Sequence, residues 1–234
     1  MERIQLTQHV FYTPCDSSRD RPVLGYILGD DRSVMVDAGN SEAHAGAFLE
    51  AMAGLPRPCR AYLTHWHWDH TFGIHALPWE TVASVHGREE YRRMAGWAWS
   101  DAAMRQRLAA GEEIPFADEH IRAEYPDLAK IRVTEPSRYL AGDETLDCGG
   151  ATCRAILAPS AHSEDSLLVL VPEDGVLFIG DCCNDDFYRD RYRDLEKTRE
   201  LYRLLESLPF RLALPGHSGP MEKEKLLAFL GQFL

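Results

Sequence analysis

The sequence predicts an α/β fold in which short strands alternate with amphipathic helices and one helical insertion interrupts the pattern. Three observations carry this expectation. Apolar runs of strand length recur along the 234 residues, most of them closed by glycine, proline or aspartate. Segments with helical periodicity separate several of these runs, as strand-helix-strand units require. Between residues 95 and 139 the alternation stops, and the breakers Gly111, Pro115, Pro126 and Pro136 divide helical stretches instead.

Taken in order, residues 4–12 alternate loosely and read as a first strand. Residues 23–30 form a second, ending in the turn Gly29-Asp30-Asp31. The run Ser33-Val34-Met35-Val36 is almost wholly apolar, hence buried on both faces, and Asp37-Ala38-Gly39 closes it. Residues 41–53 read as a helix, with Ser41 as N-cap and Gly54 and Pro56 at the exit. Residues 59–64 are a short buried strand, 71–77 one or two helical turns, 81–86 another strand, and 87–94 the start of a helix. Helices are expected at 101–110 and 117–125 within the insertion, which is either a cap over a site or a peripheral pair packed on a sheet edge. A strand at 151–158 follows. Residues 166–171 and 176–180 form a hairpin about Pro172-Glu173-Asp174-Gly175. A helix at 191–207, a strand at 210–214 and an amphipathic helix at 222–233 complete the chain. Leu226, Leu227, Phe229 and Leu230 form the expected buried stripe of that last helix.

Composition bounds the function. At 45% hydrophobic and 26% charged, the chain is ordinary globular protein with enough apolar content for one domain over residues 1–234. A formal net charge of -12 argues against a large nucleic-acid or anionic-membrane surface. No apolar run reaches membrane-spanning length and the first residues do not read as a signal peptide. The six cysteines form no Cys-x-x-Cys pair, so reduced thiols and a cytoplasmic location are expected.

The chemistry concentrates in Thr64-His65-Trp66-His67-Trp68-Asp69-His70, at the end of a strand. His65 and His67 are two apart, so extended backbone projects them to one side. Asp69 and His70 are adjacent and diverge, which suits two neighbouring ions better than one. Imidazoles suit zinc, copper, nickel or iron, and a carboxylate bridges or orients. The alternative is a surface loop rich in histidine and tryptophan. Three further strand ends carry ligand types: His162 after Pro159-Ser160-Ala161, Asp181 after Gly180, and His217 after Pro215-Gly216.

The pattern His-x-His-x-Asp-His, followed in order by His162, Asp181 and His217, resembles the signature of the metallo-β-lactamase superfamily. The resemblance implies a four-layer αβ/βα sandwich with metals between the sheet ends, and a short hairpin at residues 139–150. It implies that His65, His67 and His162 hold one ion, that Asp69, His70 and His217 hold a second, and that Asp181 bridges them. It implies a dinuclear hydrolase carrying two zinc ions, with iron or manganese as alternatives, in which a metal-bridging hydroxide attacks and Asp69 and Asp181 are the catalytic carboxylates. Family members that bind two irons for redox work usually carry glutamate where this chain has His67, which favours hydrolysis with zinc. Asp37, closing a strand in Asp-x-Gly, is implied to orient a ligand; a plain turn residue is its other reading. Cys182 and Cys183, beside Asp181, read as packed thiols.

Substrate is less specified. Glyoxalase II-like enzymes read His-Thr-Pro-Gly-Ser where this chain has His162-Ser163-Glu164-Asp165-Ser166. Lactonase-like relatives place a tyrosine several residues after the bridging aspartate, which makes Tyr188 a candidate carbonyl-polarising donor or else a packing residue. Trp97, Trp99 and His120 in the insertion are candidates for contacting substrate, and His86 is either a surface or core residue or a neighbour of the site. The expected partner is a small ester, thioester, lactone or amide. Phosphodiester hydrolysis, and a metal-binding sensory module without catalysis, are the competing readings.

Overall fold

The computed structural model describes every residue from Met1 to Leu234. Its strands form two mixed sheets. The first runs in chain order: β1 (Ile4–Gln5), β2 (Val10–Thr13), β3 (Leu24–Ile27), β4 (Ser33–Val36), β5 (Pro58–Tyr62), β6 (Glu80–Ser84) and β7 (Arg138–Leu140). β1 to β4 are antiparallel, and β4 to β7 are parallel. The second runs β8 (Glu144–Asp147), β9 (Thr152–Leu157), β10 (Leu167–Val171), β11 (Val176–Gly180), β12 (Leu212–Pro215), β13 (Met221–Glu222).

The layering follows from which faces are apolar. β4, β10 and β11 are buried along their whole length, as their uninterrupted apolar runs demand. One core cluster joins Val10, Val34, Val36 and Val82 of the first sheet to Val169, Phe178 and Leu214 of the second, so the sheets pack face to face. On the outer face of the first sheet, Phe48 of the helix α1 (Glu42–Ala51) and Met52, the residue that caps its C-terminus, cover Leu24, Tyr26 and Met35. On the outer face of the second, α6 (Leu195–Ser207) and α7 (Lys223–Gly231) pack Leu201, Leu205, Leu226 and Leu230 on Leu168, Leu170 and Leu177. The result is the expected αβ/βα sandwich.

Ser41 caps α1 as expected, its Oγ accepting the His44 N–H. The short α2 (Trp68–Thr71) begins earlier than expected, inside the ligand motif itself. After α3 (Arg88–Ala95) the insertion holds α4 (Asp101–Ala110) and α5 (Pro115–Glu124). Ser100 caps α4 and left-handed Gly111 ends it; Pro115 takes the first turn of α5. Met104, Ala117, Ile121, Leu128 and Ile131 join a core with Trp68 and Phe72, so the insertion packs directly behind the ligand motif.

Four expectations need correction. Residues 4–12 are two paired strands, because the chain reverses at Leu6 and Thr7, whose N–H groups both donate to the Val10 carbonyl. Residues 139–150 are not a hairpin: β7 pairs with β6 and β8 pairs with β9, so the chain crosses there from one sheet to the other. Arg138 holds the crossing by donating to Glu80 and to both oxygens of Glu144. The helix expected from residue 191 starts at Leu195, capped by Asp194, because Asp190 and Arg191 adopt left-handed backbone. Phe229 is 38% exposed, since α7 buries only Leu226 and Leu230, one turn apart.

Candidate metal centre

Seven side chains from four strand ends meet where the two sheets open. Asp37, immediately after β4, is left-handed at φ +62°. Its carboxylate accepts from Thr64 N (2.7 Å), Thr64 Oγ1 (3.0 Å) and His70 Nδ1 (2.7 Å). One buried carboxylate thus ties the end of β4 to the start and finish of the ligand motif. The second sheet is pressed against the first at the same place, with Leu167 N–H donating to the Thr64 carbonyl at 2.7 Å. Glycines make this approach possible. A Cβ on Gly180, at φ +47°, would lie 2.6 Å from Thr64, and one on Gly216 would lie 2.2 Å from Asp181 Oδ1.

The imidazoles are aimed from behind. Asp37 takes the His70 Nδ1 proton, and the Asp185 carbonyl takes that of His162 at 2.7 Å. His65 Nδ1 lies 3.2 Å from Thr64 Oγ1, whose own proton goes to Asp37. His217 Nδ1 lies 3.5 Å from Asp20 Oδ1. With Nδ1 of His70 and of His162 engaged from behind, the Nε2 atoms of both rings face inward. There His65 and His162 face one another at 3.3 Å. Asp69 Oδ2 is 3.0 Å from both His70 Nε2 and His217 Nε2, and Asp181 Oδ2 is 3.4 Å from His217 Nε2. Three sets of ligand atoms lie within 4.8 Å of one another: His65, His67 and His162; His65, His70 and Asp181; Asp69, His70 and His217.

The electrostatics separate the imidazoles into two kinds. Burial, then the neighbouring rings, hold His65 and His67 well below the usual histidine range, so they are neutral donors of lone pairs. Burial also opposes charge on His70, but Asp69 and Asp37 outweigh it and raise that ring well above its usual value. His217 is carried against burial up to about 9 by Asp181 and Asp69. Asp69 stays ionised despite burial because His70 and His217 face it. Two carboxylates converge here with only imidazole charge to balance them. His70 Nε2 and Asp181 Oδ1, both buried, make no hydrogen bond. A cation satisfies both atoms and the carboxylate charge, so the residues fit metal.

Three cavities border the cluster, and two of them meet at Asp181 and His217. One of about 290 Å³ is lined by Asp69, His162, Asp181 and His217 of the cluster and by Ile114, Phe116 and His120 of the insertion. The other, of about 210 Å³, shares Asp181, Asn184 and His217 and is walled by Ile179, Cys183, Met221, Leu226 and Phe229. The insertion therefore contributes part of the wall of the site.

The substrate-contact candidates divide. His120 lines the first cavity, its Nδ1 donating to the Phe116 carbonyl at 2.8 Å. Tyr188 lines it too, its ring 5.2 Å from that of His67. Its hydroxyl, however, donates to the buried Glu113 at 3.0 Å and is engaged rather than free to polarise a carbonyl. Trp97 and Trp99 do not reach the cavity, which corrects the expectation. Both rings lie against the buried Arg107 guanidinium, at 4.5 and 4.6 Å, and meet each other edge-on at 5.8 Å, while Trp99 stacks edge-on against Phe72. Half-buried aromatic rings and a buried cation satisfy each other there, inside the insertion. His86 lines a polar recess with Glu90 and Asp165 that also reaches His67 and His162, so it neighbours the site without joining the ligand cluster. Cys182 and Cys183 are buried in the core beneath α6, as packed thiols, and Cys183 also borders the second cavity.

Sequence reasoning missed Asp20, Asn184 and Glu113. Asp20 is left-handed at φ +51° beside His217, and burial followed by Asp69 pushes its carboxyl up to about 7. The segment Ser17-Ser18-Arg19-Asp20-Arg21-Pro22 carries turn-residue signals only, with nothing that points to a site.

The Metallo-beta-lactamase superfamily profile matches residues 19–217. An atrochrysone carboxyl ACP thioesterase of Aspergillus fumigatus is 25% identical over 201 residues, covering 84% of this chain and 51% of the relative. The acyl-coenzyme A thioesterase MBLAC2 of Gallus gallus is 26% identical over 231 residues, covering 93% of this chain and 79% of the relative. This chain thus spans about half the length of the fungal protein. A metallo-beta-lactamase from Pontibacter korlensis superposes with a TM-score of 0.66 at 18% identity over 98% of each chain, a likeness of fold.

Proposed function

Because the chain belongs to the metallo-beta-lactamase superfamily, we propose that it is a dinuclear zinc hydrolase of acyl thioesters. His65, His67 and His162 hold one ion, Asp69, His70 and His217 the other, and Asp181 lies between them. When bound, the ions supply Lewis acidity toward the scissile carbonyl and lower the pKa of water at the site.

The observation that carries the substrate class is the meeting of two cavities at Asp181, Asn184 and His217. A substrate with its reactive carbonyl at that junction needs an arm on each side, and a thioester has an acyl arm and a thiol arm. The relatives that are thioesterases support the same reading. The chain's own contribution is positional. Asp69, kept anionic between His70 and His217, receives the proton of the attacking water at its carboxylate. Asp37 and the Asp185 carbonyl fix the tautomers of His70 and His162. The apolar faces of Ile114, Phe116 and Phe187 exclude bulk water. A thiolate leaves readily, so no buried general acid is required on the thiol side. No lysine or arginine lines the two cavities that share Asp181 and His217, and Arg93 and Arg189 line only the recess on the side of His67 and His162, which favours a neutral carbonyl over a phosphodiester.

The zinc-loaded protein should be assayed on acyl thioesters of N-acetylcysteamine and coenzyme A, a p-nitrophenyl ester, a cephalosporin and a phosphodiester. The thioesters should show the highest kcat/KM. A higher value on the cephalosporin or the phosphodiester would remove the thioesterase reading.

A further inference from the structure

The first cavity does not end at Phe116. Ile114, Phe116 and Phe187 are shared with an adjoining cavity of about 170 Å³, whose remaining lining is Asp190 and Arg191. An apolar throat therefore leads from the metal cluster to a charged rim. Phe116 is 46% exposed at this throat, with its ring 6.3 Å from that of Phe187.

Arg191 is placed there at a conformational cost. Asp190 and Arg191 are consecutive non-glycine residues at φ +54° and +58°, each costing on the order of 1 kcal/mol or more. The kink prevents α6 from extending back to residue 191 and sets the Arg191 guanidinium over the Phe187 ring at 4.8 Å. Its neighbour Arg193 is paired with Asp185 at 2.6 Å. Arg191 has no carboxylate within ion-pair distance, although the chain carries 37 acidic residues against 25 lysines and arginines. Asp190 is the opposing charge on the rim.

We propose that this rim binds the phosphate end of a phosphopantetheine-type thiol arm, with the throat accommodating the arm and Arg191 reading the anion. The inference rests on the thioesterase reading. Such an arm is the chemistry shared by coenzyme A and by a carrier protein, and it places an anion at the far end of an otherwise uncharged chain. Arg191 is thus a specificity residue remote from the reacting atoms.

The test measures binding rather than turnover, so it is separate from the assay above. Calorimetry on the zinc-loaded protein would compare S-methylpantetheine, S-methyl-phosphopantetheine and S-methyl-coenzyme A. The phosphate should tighten binding by roughly five- to ten-fold at low salt, as expected for a charge-assisted contact at a partly exposed site. Arg191→Ala should bring that ratio to about one with zinc content and circular dichroism unchanged, Arg191→Lys should keep part of it, and Asp190→Asn should widen it. A gain that stops at phosphopantetheine supports a carrier-borne arm, and a further Arg191-dependent gain with coenzyme A supports the nucleotide. Equal binding of the neutral and phosphorylated probes by the native protein, or a preference that survives in Arg191→Ala, overturns the proposal. Loss of thioester turnover with the phosphate preference intact would instead remove the thioesterase reading alone.

Discussion

Asp37 shows how much one side chain carries. It accepts three hydrogen bonds in a buried position and fixes both the entry of the ligand motif and the His70 tautomer. Asp37→Ala leaves Thr64 N–H without a partner and frees the ring, so zinc affinity should fall about 10- to 100-fold by chelator competition. Asp165 makes a different prediction. It is 1% exposed, its Oδ1 accepts from Ser163, its Oδ2 has no partner, and burial raises its carboxyl to about 7. The folded protein then keeps a proton that the unfolded chain gives up near pH 4. That contribution is present below pH 4 and is lost as the pH rises toward 7. Asp165→Asn should therefore raise the unfolding midpoint at pH 8 and flatten its dependence between about pH 4 and 7; an unchanged pH profile would contradict a buried neutral acid. Residues of this kind mark the limit of what a sequence reveals. The histidines and aspartates of the motifs were legible because few side chains can hold a metal. Asp20 and Asp165 were not, because their roles arise from burial beside partners distant in the chain.

The insertion shows the same division among elements. The bounds of α4 were readable from Ser100 and Gly111, whereas the exchange of β7 and β8 between sheets was not, since Ala141-Gly142-Asp143 reads equally as a hairpin turn. What the insertion touches was not readable either, because aromatic residues mark burial without saying against what. The structure fastens α5 firmly: buried Glu124 accepts from Arg21 Nε and Nη2 at 3.1 and 2.7 Å and from the Ser41 hydroxyl. Glu124→Ala leaves Arg21 partly buried without its partner and should cost about 3 kcal/mol of stability, measured by denaturant titration. Trp99→Ala should likewise destabilise, by about 3 kcal/mol, through lost packing on Phe72 and Arg107, while leaving KM near the native value. Phe116→Ala should do the reverse. Its ring is 46% exposed in the cavity wall, so stability should change little and KM should rise several-fold. Equal effects of the two substitutions on KM would remove this division of the insertion into frame and wall.

Across the whole molecule, the site exists because two sheets open at one end. The first supplies His65, His67, Asp69 and His70, and the second supplies His162, Asp181 and His217. Neither sheet alone presents a complete set, so the centre depends on the sandwich closing through Val169, Phe178 and their partners. The order of the motifs made this arrangement legible; the cavities that border the cluster emerge only from the packing. The most direct test of the account is the zinc stoichiometry of the native protein and of His217→Ala, by elemental analysis after saturation and removal of excess metal. The account predicts two ions per native chain and one in His217→Ala, where His65, His67 and His162 remain. One ion in the native chain, or two retained by the variant, would contradict it.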